Sequence, residues 1–401
     1  MNRIAFVIGE KFLYWNSVIL TLAVLTAICM FWALAVRNRE DVGAAVIAIP
    51  MAFTLSLLLS RFVHWYCRPQ GYTGVLSALF DYSRGSFALI GVFAGCLLTA
   101  VLLRMFRVSK NLPRLLDQMC LAGALGIAAG RPAALFTAAD RGIPVPDWVP
   151  FPLASRMANS VSGETEVRLA VFMLQAMAAA VLFICLLIVY LRGKKKETLR
   201  DGDTCLLFLL WYCGTQAVLD SPRYDSLYFR SNGFVSVVQI FGIFTVILTM
   251  VIFTVRLIRC RRWSKLFLPF LALPLLGLAG YMEYHVQRHG GEALFAYSVM
   301  SFSMLSAIVL ILRIRANAVP VIQYPVYNAE RRDACRERRP YSENAADTNQ
   351  TPYDAGEVDY SRPQPPRSRT YDPRRSAAVN PDPRKTKKGR YQGKYAANRK
   401  K

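Results

Sequence analysis

Long apolar runs, separated by short polar stretches, organise the chain as far as residue 314. They lie at 13–36, 43–66, 86–106, 112–130, 167–191, 204–219, 234–257, 266–284 and 293–314. A helix needs roughly 20 apolar residues to cross a hydrocarbon core about 30 Å thick. Inside a bilayer the backbone must satisfy its own hydrogen bonds, so each run reads as a helix. The fourth and sixth runs are the weakest, being short or diluted by polar residues. A closed β-barrel is excluded, because no series of segments of about 10 residues alternates apolar and polar positions between turns. The pattern predicts an all-α polytopic membrane protein with about nine transmembrane helices.

Charge orients these helices. Lys and Arg gather in cytoplasmic loops. Arg37 and Arg39 follow the first run; Arg104, Arg107, Lys110 and Arg114 follow the third. Arg192, Lys194, Lys195, Lys196 and Arg200 follow the fifth; Arg256, Arg259, Arg261, Arg262 and Lys265 follow the seventh. Every odd-numbered exit is basic, which predicts an outside N-terminus and a cytoplasmic C-terminus. The first run is too long for the core of a cleavable signal peptide and has no small-residue cleavage site after it, so it is expected to stay as the first span.

Composition sharpens the division into parts. The chain is 54% hydrophobic yet carries a formal net charge of +23. From residue 319 it turns rich in Pro, Arg, Tyr, Asp and Lys, too polar to bury the surface that folding requires, and is expected to be disordered. Its basic clusters, Arg384–Arg390 and Arg399–Lys401, suit the anionic inner leaflet. No folded module accompanies them, so a specific nucleic-acid partner is not expected. Nine cysteines are scattered without a zinc or redox spacing and mostly lie inside apolar runs. Cys67, at an outer edge, could be exposed. No internal repeat, phosphate loop, Ser-His-Asp set or His/Cys metal cluster occurs, so no metal or other cofactor is expected.

The outer helix ends hold polar residues that a membrane admits only at a cost. They are Arg61 with His64, Trp65 and Tyr66; Arg84 and Gly85, with Gly91 and Gly95 further along; Gly130 and Arg131; and Asp220, Arg223, Asp225 and Arg230. Residues 131–166, with Pro132, Pro144, Pro146, Pro150 and Pro152, form the longest predicted loop, and loops of that length are commonly functional. Several arginines meeting at one face suit a phosphate headgroup, because the guanidinium fork matches its oxygens. The plainer alternative is a girdle of snorkelling arginines and aromatics. His64, His285 and His289 also fall on the outer side, where a histidine is usually just solvated.

Taken in order, these pieces resemble the bacterial prolipoprotein diacylglyceryl transferase family. Leu13-Tyr14-Trp15 resembles the opening of the family's first helix, and Ser60-Arg61-Phe62 the small-Arg-aromatic end of its second. Arg84-Gly85-Ser86-Phe87-Ala88-Leu89-Ile90-Gly91 resembles its glycine-rich third-helix motif. Gly130, Arg131 and Gly142 match its long Gly-Arg signature, and Asp147-Trp148 the tryptophan segment after it. Asp220-Ser221-Pro222-Arg223-Tyr224-Asp225-Ser226-Leu227 resembles its stretch after the sixth helix, and Gln239 a glutamine that leads the seventh. The chain departs from the family at Asn16, Leu89, Ala134, Ala139, Leu174, Gln175 and Gln216, where the resemblance implies Tyr, His, Asn, Glu, Tyr, Glu and Arg.

The resemblance implies a seven-helix transferase-like body over 1–260, two added helices over 261–318 and the basic tail over 319–401. It implies an enzyme of the bacterial cytoplasmic membrane. The reaction moves a diacylglyceryl group from phosphatidylglycerol to the lipobox cysteine of a prolipoprotein signal peptide, with membrane lipids as surroundings. Arg131 and Arg223 would clamp phosphate, with Asp220 orienting Arg223. Arg61, Gly91 and Gly142 would complete the lipid-binding set, and His64 or Asp140 are candidates for the base. One alternative is a non-catalytic relative that binds lipid or precursor, favoured by Gln216 and the two alanines. Another is an unrelated channel, transporter or assembly factor, which predicts midplane charges or broken helices in paired halves.

Overall fold

The computed structural model describes residues 4–8, 11–38, 42–80, 87–109, 111–158, 165–195, 199–230, 235–289 and 293–318. Arg84, Gly85, Ser86 and the predicted tail lie outside these residues. Each apolar run contains one helix: α1 (Trp15–Asn38), α2 (Val42–Cys67), α4 (Leu89–Met105), α5 (Leu112–Gly130), α6 (Val171–Lys195), α7 (Asp203–Leu219), α8 (Val237–Arg259), α9 (Phe267–His289) and α10 (Ala293–Ala318). A short helix, α3 (Val75–Phe80), lies between the second and third of them.

Among the described residues, seven helices are long and apolar enough to cross a membrane; α4 and α7, of 17 residues each, are the shorter apolar pair. The fourth run, expected to be weak, is instead lengthened by a 3-10 turn over Arg131–Phe136, where Pro132 fits the first turn because it has no N–H to leave unpaired. Large apolar side chains such as Phe244, Phe270 and Phe302 face outward, as the exterior of a lipid-embedded bundle does.

Two hairpins were not foreseen. β1 (Ile4–Ile8) pairs antiparallel with β2 (Lys11–Tyr14), directly before α1. Inside the predicted 131–166 loop, β3 (Ala154–Ala158) pairs with β4 (Thr165–Leu169), running Ala154↔Leu169 to Ala158↔Thr165. The predicted start of the fifth span at 167 is therefore too early. Thr165–Leu169 alternates in the period-two manner of a strand, and the helix begins only after Ala170, whose N–H bonds Leu153 O at 2.7 Å.

α5 is the hub of the packing. One core lies between α1, α2, α4 and α5, around Phe31, Ala45, Leu103 and Leu115. The larger core joins α5 to α6, α7, α8, α9 and α10, around Leu121, Leu186, Phe208, Phe253 and Ile311. The interiors are not wholly apolar, as the sequence suggested: Asp117, Gln118 and Gln175 are buried within helices. Asp117 has a clear duty. Its carboxylate accepts the Gly202 and Cys205 N–H groups at 2.8 and 2.7 Å, capping α7 from a neighbouring helix where four N–H groups would otherwise lack partners. Gly202 reaches this position with φ +92°, which favours glycine.

Candidate active site

The site begins where α5 runs into its 3-10 extension. Arg131 closes α5, and the chain then turns back through Asp140, whose φ of +57° is tolerated by aspartate better than by most residues. That turn brings the Asp140 carboxylate to Arg131 Nη1 at 2.9 Å. Gly142 fixes the turn. Its N–H bonds Leu169 O at 2.8 Å, and a Cβ there would meet Val171 Cγ2 at 2.9 Å, Leu169 Cβ at 3.1 Å and Pro222 O at 3.2 Å. Only glycine lets these three strands of backbone converge.

The other half comes from the end of α7. Asp220 caps the helix, and the following turn folds Arg223 back onto it, Nη1 to Oδ1 2.8 Å. Arg223 Nη2 also reaches Asp140 Oδ1 at 2.6 Å and Asp225 Oδ1 at 3.0 Å. Asp225 in turn accepts the Asp140 N–H at 3.0 Å. Asp220 receives the Ser236 hydroxyl on its second oxygen and the Ser226 hydroxyl on its carbonyl. Ser236 is itself the N-cap of α8, in a reciprocal capping box with Gln239. One buried network thus fixes the ends of α5, α7 and α8 together.

Its electrostatics separate the two arginines. Two guanidiniums face three carboxylates, an excess of one negative charge. Arg223 is engaged by all three acids, which hold its guanidinium above the ordinary value although burial alone would lower it. Burial would likewise push the Asp140 carboxyl up, but Arg131 and Arg223 hold it below the usual carboxylate range. Asp140 is therefore a fixed counter-ion and a poor proton acceptor. Arg131 has one carboxylate partner, with the Tyr212 phenol beside it.

Arg61 and His64 occupy a neighbouring cluster. Arg61, 1% exposed, donates from Nε to Ala78 O at 2.9 Å and from Nη1 to Tyr72 at 3.4 Å. It also lies 5.5 Å from the Tyr72 and Phe87 rings. His64 Nδ1 is 3.2 Å from the Tyr72 hydroxyl. Arg68 joins the two clusters by donating to Asp225 O and Ser226 O, and Arg230 stacks over Trp65 and Tyr66. Gly91 stands apart, at a helix crossing: a Cβ would fall 2.4 Å from Leu59 O and Ser60 Cα, and Gly95 meets Ser56 in the same way. That is the close-approach use of a small-xxx-small stripe. Cys67, expected at an exposed edge, is buried.

The structure thus brings Arg131, Arg223 and Asp220 together and adds Asp140, Asp225, Ser236 and Tyr212. A family profile described as prolipoprotein diacylglyceryl transferase matches residues 3–255. The chain belongs to this family.

Two relatives named phosphatidylglycerol–prolipoprotein diacylglyceryl transferase show how far the likeness reaches. That of Streptococcus equi subsp. zooepidemicus strain MGCS10565 is 26% identical over 245 residues, covering 60% of this chain and 92% of the relative. That of Streptococcus equi subsp. equi strain 4047 is 25% identical over 229 residues, 57% of this chain and 85% of the relative. α9 and α10 lie beyond the matched residues.

Within this transferase-family body, one departure from the resemblance, Gln216, shares a helix face with residues of the arginine network. Tyr212, Gln216 and Asp220 recur at four-residue intervals, so they share one face of α7 and its end. Asp220 binds Arg223 and Tyr212 lies beside Arg131, so Gln216 is carried on the face turned to the network. The Gln216 Nε2 and both amide atoms of Gln175 are buried without a hydrogen-bond partner. Buried polar groups without partners are rare and call for an explanation. Ala134 sits in the 3-10 turn, buried beside Ala170 and Phe172. Asp225 was visible within the Asp220–Leu227 motif. The signal for Tyr212 was its spacing, two helical turns before Asp220.

Proposed function

We propose that this chain transfers a diacylglyceryl group from phosphatidylglycerol to the lipobox cysteine thiol of a prolipoprotein. The observation that carries the reading is the unequal engagement of the two arginines in a chain of this family. Arg223 is consumed by three carboxylates and acts as the ionic hub. Arg131, with Asp140 as its one carboxylate partner, offers its remaining guanidinium edge to the lipid phosphate. Tyr212 and Gln216 offer neutral hydrogen bonds around the same anion.

The thiol gives its proton to a base, for which His64 is the remaining candidate, and the thiolate is the nucleophile. Its sulfur attacks the terminal glyceryl carbon of the diacylglyceryl group. The C–S bond forms as the C–O bond to phosphate breaks, and glycerol phosphate leaves with the bonding pair. Arg131, preorganised by Asp140, stabilises the charge that collects on the departing phosphate, and such fixed donors are a large source of rate enhancement. Gly142 holds the turn that aims Asp140. Arg61 and His64 would act from the adjoining cluster. The direct test is purified protein with phosphatidylglycerol and a lipobox peptide. A thioether-linked product is expected, and its absence under conditions where a standard family member works would overturn catalysis.

Gln216, Ala134 and Ala139 favour a second reading, a relative that binds lipid or precursor without turnover. Complementation of a strain lacking its transferase separates the two, since a well-expressed binder does not rescue growth.

The topology proposed with this reading has all nine long helices crossing, the N-terminus outside and the C-terminus cytoplasmic, in a bacterial plasma membrane. At 1.5 Å per residue, α4 and α7 each reach about 25 Å, close to the hydrocarbon thickness. The arginine network then lies at the outer face and the basic turns inside. The body over 1–260, the added pair over 261–318 and the tail form successive parts. Labelling of single cysteines from either side of the membrane tests the arrangement.

A further inference from the structure

α7 is gripped along its length by a helix that the family match does not include. Its first residue, Asp203, is buried and holds two arginines: Arg256 from the end of α8 on Oδ1, and Arg315 from the end of α10 on Oδ2 at 3.3 Å. Halfway along, α7 and α10 meet where Gly214 has no side chain. A Cβ there would lie 2.8 Å from Ile308 Cδ1 and 3.6 Å from Met304 Sδ. At the site end, Tyr228 lies within the electrostatic reach of Asp220, Arg223, Glu283 of α9 and Tyr297 of α10. Burial, Asp220 and Glu283 together push its phenol above the ordinary value. α10 therefore meets α7 both at its first residue and at Gly214.

α7 is also the helix that presents Tyr212, Gln216 and Asp220 to Arg131 and Arg223. A helix of 17 residues, buried against several neighbours, transmits a displacement of one end to the other because packed interiors resist deformation. We propose that α10 is a working part of the site, with Arg315 a positioning residue that acts through Asp203 to set the register of α7. Arg256 alone leaves Asp203 tethered to α8, which feeds the same network through Ser236. Arg315 supplies the second, independent tether. The proposal rests on the transferase reading for its kinetic arm, and an activity-independent arm stands beside it.

The experiment uses the full chain in phosphatidylglycerol-containing nanodiscs, as wild type, Arg315→Gln, Arg315→Lys, Asp203→Asn and the Asp203→Asn/Arg315→Gln pair. It reads kcat and KM for a lipobox peptide, and backbone deuterium uptake over α7. Small misplacements of catalytic groups cost up to about 100-fold. Arg315→Gln is expected to lower kcat roughly tenfold with KM nearly unchanged, and to raise uptake at 212–220. Arg315→Lys, which keeps the charge and the fold, should recover most of the rate. The paired variant should be no worse than Asp203→Asn alone, the signature of one shared interaction.

Unchanged kcat and unchanged uptake at 212–220 in Arg315→Gln would overturn the proposal, as would uptake changes confined to α10. Should Arg315→Gln fail to fold, a wild-type rate together with wild-type uptake at 212–220 in Asp203→Asn would overturn it equally. Absence of thioether product from wild type defeats the transferase reading, while the uptake comparison still decides whether Arg315 fixes α7.

Discussion

The two ends of α7 bury ion pairs of opposite design. At its N-terminus one acid, Asp203, is shared by two arginines, and Asp117 caps the free N–H groups. Both carboxylates lie where the helix dipole welcomes negative charge. At the C-terminus one arginine, Arg223, is shared by three acids, and Asp220 stands against the dipole. The first arrangement follows the local field and serves to hold. The second works against it, with Arg223 and the Ser236 hydroxyl fixed on the Asp220 carboxylate. A protein keeps such an unfavourable charge pattern where chemistry needs it, and here it adjoins Arg131, which pairs with Asp140.

The sharpest way to break this contrast is Arg131→Ala. Removing one preorganised donor from a developing oxyanion costs about 100-fold to 1,000-fold in turnover, so thioether formation should fall by that much while thermal stability changes little beyond the lost pair with Asp140. Equal losses from Arg131→Ala and Arg223→Ala in both rate and stability would erase the distinction between binder and hub.

Arg223→Ala should act chiefly on the fold. It strips Asp220 of its cation, and a buried charge left without its partner costs about 3–5 kcal/mol. Thermal unfolding in detergent should show a large drop, with Arg223→Lys intermediate because an ammonium cannot fork to several carboxylates.

At the holding end, Asp117→Ala should cost about 2 kcal/mol, the upper range for a lost helix cap, since two N–H groups lose their acceptor. Activity should fall less than stability. A rate loss as large as that of Arg131→Ala would show that the two ends are not separable.

The smallest effect is the response to acid. Asp140 has a folded-state pKa below its unfolded value, so its contribution is complete above the ordinary carboxylate range near pH 4 and disappears as pH falls through the lower folded value. Unfolding midpoints between about pH 6 and 3 should decline on the acid side. Asp140→Asn should lower the starting stability and flatten that decline.

The helices were legible because a membrane span declares itself through an unbroken apolar run, which needs no knowledge of partners. The site was legible in pieces. Arg131, Arg223 and Asp220 stood out as charges at the ends of apolar helices, and Gly142 only through the resemblance to the family's Gly-Arg signature. Arg61 stood out by the same signal, yet its contacts include the Ala78 carbonyl, the Tyr72 hydroxyl and two aromatic rings; position in a sequence does not say what a guanidinium meets. The β3–β4 hairpin was hidden because its strands are short, lie among prolines and abut an apolar helix that masks their alternation. The grip of Arg315 on Asp203 spans 112 residues of chain, a separation over which no local pattern informs.

At Gly91 and Gly95, α2 and α4 touch backbone to backbone. Two rods welded at such a waist move as one strut, so a phospholipid with two acyl tails cannot part them to reach Arg131. The doorway has to open along a looser seam, and screening for acyl-chain crosslinks around the bundle should find that strut silent.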